Sequence, residues 1–185
     1  AVLLDNEAET PLIAAALLVS NDAVYKNDED QYYNMFGSRD AGIVACQYDE
    51  FFHRVKQADG SRSAPRDYIH QATAQSFLHF GQDPTGLEAR SSYTLYKENV
   101  DGQEAIRVIY NPEQIHPWAH FSGTVVASSL EFFDNALGAP KAIPYTSQVW
   151  QWKAAFNFLG LVGIAILLVS LTKVLVGTKA FEGLK

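Results

Sequence analysis

The sequence predicts an α/β domain followed by a transmembrane helix. Three observations carry that reading. Short continuous apolar runs alternate with helical patterns, as buried parallel strands alternate with their crossover helices. Charged residues fall almost wholly before residue 142 of the 185-residue chain. Residues 154–172 (AAFNFLGLVGIAILLVSLT) then contain no charge at all.

The uncharged run is long enough to cross a bilayer, which takes about 20 residues at the helical rise. It is apolar around its whole circumference, whereas a surface helix of a soluble protein keeps one polar face. Trp150, Trp152 and Lys153 precede it as an interfacial girdle. Lys173 interrupts its end, but a lysine stem snorkels toward headgroups, so the span extends to Val176. The expected organisation is a domain over residues 1–138, a Pro-containing linker over 139–149, the membrane segment with its flank over 150–176, and the start of a further segment over 177–185. The chain has no initiator Met and opens as though already inside an element, so it reads as a fragment cut at both ends.

Within the domain, residues 1–8 form a helix end or a strand. Residues 12–20 (LIAAALLVS), bounded by Pro11 and Asn21-Asp22, suit a buried strand or a short alanine-rich helix. Residues 31–36 make an aromatic patch. Residues 42–46 (GIVAC) are a second buried strand, and residues 51–57 (FFHRVKQ) read as the first turns of a helix. Residues 58–103 are irregular, with helical stretches in 66–80 and a loop at 81–86. Residues 93–97 and 104–110 (EAIRVIY) are strands joined by a turn whose Asp101-Gly102 favours a hairpin. Residues 122–137 form an amphipathic helix, with Ser122 as N-cap, Gly138 as its stop, and Val125, Val126, Ser129, Leu130 and Phe133 on one face.

The net charge of −7, with no basic cluster evident, argues against nucleic-acid binding. Cys46 is the sole cysteine, so neither an internal disulfide nor a CxxC metal knuckle exists. No cofactor motif is present. Two places carry chemistry. Asp49 follows directly on a buried strand, either as a functional acid at a strand's carboxyl end or as the cap of the helix expected near Phe51. His116 and His120 lie in the loop 114–122 (QIHPWAHFS), as a proton-transfer base or as structural loop histidines. A metal pair at 116 and 120 is disfavoured by Pro117 and by the lack of a third ligand.

The stretches GSRDAGIVACQYDEFFHR (37–54) and QIHPWAHFSGTVVASSLEFF (114–133), followed by a membrane span, resemble membrane-anchored bacterial α/β hydrolases. The resemblance is to the C-terminal half of that fold, where the chain order is nucleophile, acid, His. It implies a partial hydrolase-like sheet with 58–103 as an insertion or cap. It also implies Asp49 as triad acid and His116 as base, with His120 the alternative. The domain would be extracytoplasmic, and the substrate a small or lipid-like ester, thioester or amide. The chain departs from the family in lacking a G-x-S-x-G elbow, because Ser20 is flanked by Val19 and Asn21. The nucleophile is therefore expected upstream of Ala1, leaving this chain alone inactive. The other class is a non-catalytic, membrane-tethered binding domain.

Overall fold

Four strands make one mixed sheet in the computed structural model, which describes residues 2–6, 8, 10, 12–138 and 143–184. Their order is β1 (Ala15–Val19), β2 (Asp40–Val44), β4 (Gln103–Tyr110) and β3 (Tyr96–Val100). β1, β2 and β4 run parallel, and β3 pairs antiparallel with β4. The sheet confirms the α/β expectation, and its parallel strands come from the continuous apolar runs. β2 is buried from Ala41 to Val44, and β4 from Ala105 to Tyr110. β1 stands at the edge and is only half-buried throughout.

The β3–β4 hairpin turns at Asp101-Gly102, both at positive φ (52° and 83°), the conformation that makes Asp-Gly favourable there. β3 starts later than residues 93–97 suggest and continues to Val100, because its alternating half-buried and exposed pattern suits an edge strand. The first residues form the short helix α1 (Val2–Asn6), and Asp5 on it anchors Arg39 at 2.6 Å.

Two layers cover the sheet. One gathers Met35, Phe36, Tyr68, Ile69, Phe77 and Leu78, from the aromatic patch, a 3₁₀ turn at Pro65–His70 and helix α2 (Ala72–Leu78). The other is helix α3 (Gly123–Leu137), capped by Ser122 Oγ accepting from Val125 N–H and stopped at Gly138. Of the expected face (Val125, Val126, Ser129, Leu130 and Phe133) only Val125 is fully buried, and it is joined by Ser128 and Phe132. Leu130 and Phe133 are exposed. Phe132 decides the rotation: its ring packs over Gly42, where an added Cβ would stand 3.0 Å from Cδ2.

Arg107 on β4 is buried at 1% exposure, with no carboxylate in an ion pair with it among the described residues. Its guanidinium instead donates to the carbonyls of Arg39, Gly37 and Ile106 and to Asn34 Oδ1 at 2.5–2.9 Å. It lies over the Phe80 ring, centroid 4.6 Å away. Burial lowers its pKa to about 10.

The expected helix at residues 51–57 does not form. Asp49 Oδ1 accepts from the N–H groups of both Phe51 and Phe52, and His53 adopts a left-handed backbone with φ 62°, which ends any helical turn. The chain instead enters a tight hairpin in which Lys56 bridges Arg62.

The C-terminal unit, residues 147–185, consists of helix α4 (Trp150–Val176) and a 3₁₀ segment, Lys179–Leu184. At 27 residues α4 is about 40 Å long, with a mean hydropathy of 2.5 over its apolar stretch and no buried residue. It is long and apolar enough to cross a membrane. Residues 139–142 of the linker lie outside the described residues.

Candidate active site

The parallel register fixes the site. Val19 pairs with Val44, and Val44 with Tyr110, so β1, β2 and β4 finish at one end of the sheet. The segments after β2 and β4 continue side by side past that end. Ala45 N–H donates to Tyr110 O, Gln47 N–H to Pro112 O and Tyr48 N–H to Gln114 O, and Tyr48 then bridges Ile115 in parallel. Asn111 Nδ2 to Ala45 O (2.7 Å) and Gln47 Nε2 to Asn111 O (2.8 Å) cross-link the same pair. The next residue on each segment is Asp49 and His116.

Asp49 and His116 meet with Oδ2 and Nδ1 3.0 Å apart, although 67 positions separate them in sequence. Asp49 is 1% exposed, while the His116 side chain is 28% exposed. The carboxylate divides its work. Oδ1 takes the two backbone N–H groups at 2.9 Å each, and Oδ2 takes the imidazole. Both sequence readings of Asp49 thus hold, since it caps a turn and meets a histidine. Burial pushes its pKa up, but the N–H groups of Phe52 and Phe51 and the contact with His116 outweigh that. They hold the acid below its usual range.

An ionised carboxylate only accepts, so Nδ1 carries the proton and Nε2 presents its lone pair. Two rings hold the imidazole plane. Phe52 stacks on it with centroids 5.5 Å apart, and Phe51 meets it edge-on at 5.2 Å. Glu50 Oε2 accepts the His116 backbone N–H at 3.3 Å. Among the described residues, no serine hydroxyl hydrogen-bonds Nε2. Ser20 is buried at the end of β1 with φ 47°, its Oγ 3.5 Å from Cys46 Sγ. Ser122 Oγ is engaged in capping α3. His120 is exposed on the 3₁₀ turn His116–Phe121, and among the described residues Asp49 pairs with His116 and not with His120. Among the described residues no cluster of three His, Cys, Asp or Glu side chains is arranged for a metal.

Sequence reasoning missed the Phe51–Phe52 clamp and the Glu50 contact, because both depend on the turn that replaced the expected helix. It also missed a second acid–imidazole pair at the same end of the sheet. His53 is fully buried, with Nδ1 3.5 Å from Asp22 Oδ1 and its backbone N–H on Asp22 Oδ2 at 3.3 Å. Asp22 also accepts from Tyr25 OH at 2.7 Å, and Tyr25 OH meets Tyr68 OH. The only sequence signal was Asp22 standing just beyond an apolar strand.

No protein-family model, curated protein or solved structure matches this chain.

Proposed function

We propose that this chain is the acid-and-base portion of a membrane-anchored serine-type hydrolase acting on an ester, thioester or amide. The observation that carries the reading is the Asp49–His116 pair, with Nδ1 tied to a buried carboxylate and, among the described residues, no hydrogen-bond partner on Nε2. In this role His116 Nε2 takes the proton of an attacking hydroxyl and returns it to the leaving group. Asp49 holds the tautomer and stabilises the imidazolium. The nucleophile belongs on a strand beside β1, upstream of Ala1. In support, β1 is an apolar edge strand with no charge or proline of its own, unlike edges that natural sheets leave open. The domain lies outside the cytoplasm, and the Lys173, Lys179 and Lys185 end lies inside.

The test uses the complete reading frame. His116→Ala should abolish most turnover of activated esters while the circular-dichroism spectrum stays unchanged, and unchanged turnover removes His116 from the mechanism. This chain alone should show no triad-dependent hydrolysis. Robust hydrolysis abolished by Ser20→Ala or Ser122→Ala would place the nucleophile here instead. A non-catalytic, membrane-tethered binding domain is the second reading. It is favoured by the absence of a hydroxyl against Nε2 among the described residues. A complete frame with no serine elbow upstream would establish it over the first.

A further inference from the structure

The N-terminal unit is acidic, yet among its described residues the basic side chains without a close carboxylate all lie on one stretch, residues 54–66. Lys26, Arg39, Arg90 and Lys97 each hold a carboxylate within 2.9 Å. Arg107 is committed to carbonyl and amide oxygens. The remaining basic side chains of residues 12–138 are Arg54, Lys56, Arg62 and Arg66. Among the described residues only Arg66 approaches a carboxylate, that of its neighbour Asp67 at 4.0 Å.

A tight hairpin brings these four together. Gln57 N–H donates to Ser61 O and Ser63 N–H to Val55 O, with Lys56 bridging Arg62. That register sets Arg54 across from Ala64, beside Pro65 and Arg66. Arg54 and Arg66 line a cleft of about 310 Å³ whose other walls include Tyr48, Asp49 and Glu50. The cleft therefore adjoins the acid that holds His116. Its two carboxylates are engaged on the His116 side: Asp49 with the imidazole and two N–H groups, Glu50 with the His116 N–H. Among the described residues the two guanidinium groups have no carboxylate nearer than the 4.0 Å from Arg66 to Asp67. The volume is at the lower end of that of small-molecule sites, about 300–1,000 Å³.

We propose that Arg54 and Arg66 form a binding site for an anionic oxygen group, carboxylate or phosphate, on the molecule that reaches His116. Planar guanidinium groups suit such anions because each can donate two parallel hydrogen bonds. Lys56 and Arg62, at the far end of the hairpin, do not line the cleft and add only diffuse charge. That the bound molecule is a substrate rests on the hydrolase reading, whereas the anion site stands on the cleft and its cations. The same chemistry is offered by a free anionic ester and by a phospholipid headgroup.

The experiment reads binding, so it is independent of turnover. The full chain is placed in phosphatidylcholine nanodiscs, and the Nε–H signals of ¹⁵N-labelled arginine are followed during titration with inorganic phosphate. Saturable shifts at Arg54 and Arg66 are expected; in Arg54→Gln the Arg66 signal should titrate at least tenfold more weakly, and in Arg66→Gln the Arg54 signal, whereas Lys56→Gln/Arg62→Gln should weaken both by under threefold. If phosphate has no effect but phosphatidylglycerol in the disc produces the same two shifts, the anion is a headgroup. No site-selective shift in either arm, or equal loss in the Lys56/Arg62 variant, overturns the proposal. Failure of His116→Ala to affect turnover in the complete protein would defeat the hydrolase reading and leave the binding result standing.

Discussion

Asp49→Asn tests the central geometry without requiring a nucleophile. The change keeps shape and volume but puts an NH₂ where Oδ2 accepted from His116 Nδ1. With Oδ1 still facing the N–H groups of Phe51 and Phe52, the amide must donate toward Nδ1. The imidazole then moves its proton to Nε2, the position that must be free to act as a base. The carboxylate's three hydrogen bonds are charge-assisted, at about 1.5–3 kcal/mol each against about 0.5–1.5 for neutral ones. Two bonds weakened by about 1 kcal/mol each, plus a rearranged third, give an expected stability loss of about 2–3 kcal/mol. The ¹⁵N shifts of the His116 ring in labelled chain at alkaline pH report the tautomer. The parent should show Nδ1–H and the variant Nε2–H, and urea unfolding should show the stability loss. On the proposed hydrolase reading, turnover in the complete protein should fall by about 10⁴, the penalty for the wrong tautomer in a Ser-His-Asp enzyme. The same tautomer in both proteins would refute the reasoning, because Asp49 would not be orienting the ring.

Acid should destabilise the domain in part through Asp49. Its folded pKa lies below the reference value of 3.8, so its contribution is complete above that value and is lost as pH falls through the folded one. Urea midpoints from pH 6 to pH 2.5 should therefore drop less steeply in Asp49→Asn, with residual slope from Asp22, which is also lowered. A parallel pH profile would count against this linkage. Gly81→Ala should cost about 3 kcal/mol or more. Gly81 sits at φ 83°, and an added Cβ would strike the Tyr33–Asn34 backbone, which cannot move aside as a side chain can. An unchanged melting temperature would contradict that packing. His120→Ala should leave the His116 ring shifts and the urea midpoint unaltered, since His120 is exposed, and a displaced His116 signal would reinstate it. External protease on intact cells should degrade the domain and spare a C-terminal tag, with the reverse pattern inverting the proposed orientation.

What was legible in the sequence depended on local signals. β1, β2 and β4 stood out because parallel strands covered on both faces read as unbroken apolar runs. Asp101-Gly102 and Ser122 announced a turn and a cap through their own chemistry. Asp49 and His116 were legible as residues just past strands, but their meeting needed the register of β2 against β4. The helix at 51–57 was misread because its pattern is locally helical, whereas the Asp49 side chain and the left-handed His53 fold it into a turn. The buried face of α3 was misplaced because period alone does not locate the gap over Gly42 that takes Phe132. Arg54 and Lys56 fell in the expected helix and Arg62 and Arg66 in the irregular stretch after it, so only the hairpin brings them onto one segment.

The order β1-β2-β4-β3 has a consequence for the timing of synthesis. β2 and β4 are sheet neighbours, but the 3₁₀ turn, α2 and β3 are all translated between them. At about 5–20 residues per second, the 67 positions from Asp49 to His116 take about 3–13 s to emerge. For that interval Ile43 and Val44 lack their β4 neighbours, Ile109 and Tyr110, leaving one edge of an apolar strand open to a chaperone or to another nascent chain. The bond between Asp49 and His116 closes only when this long loop closes, so it should form late and report completion of the sheet.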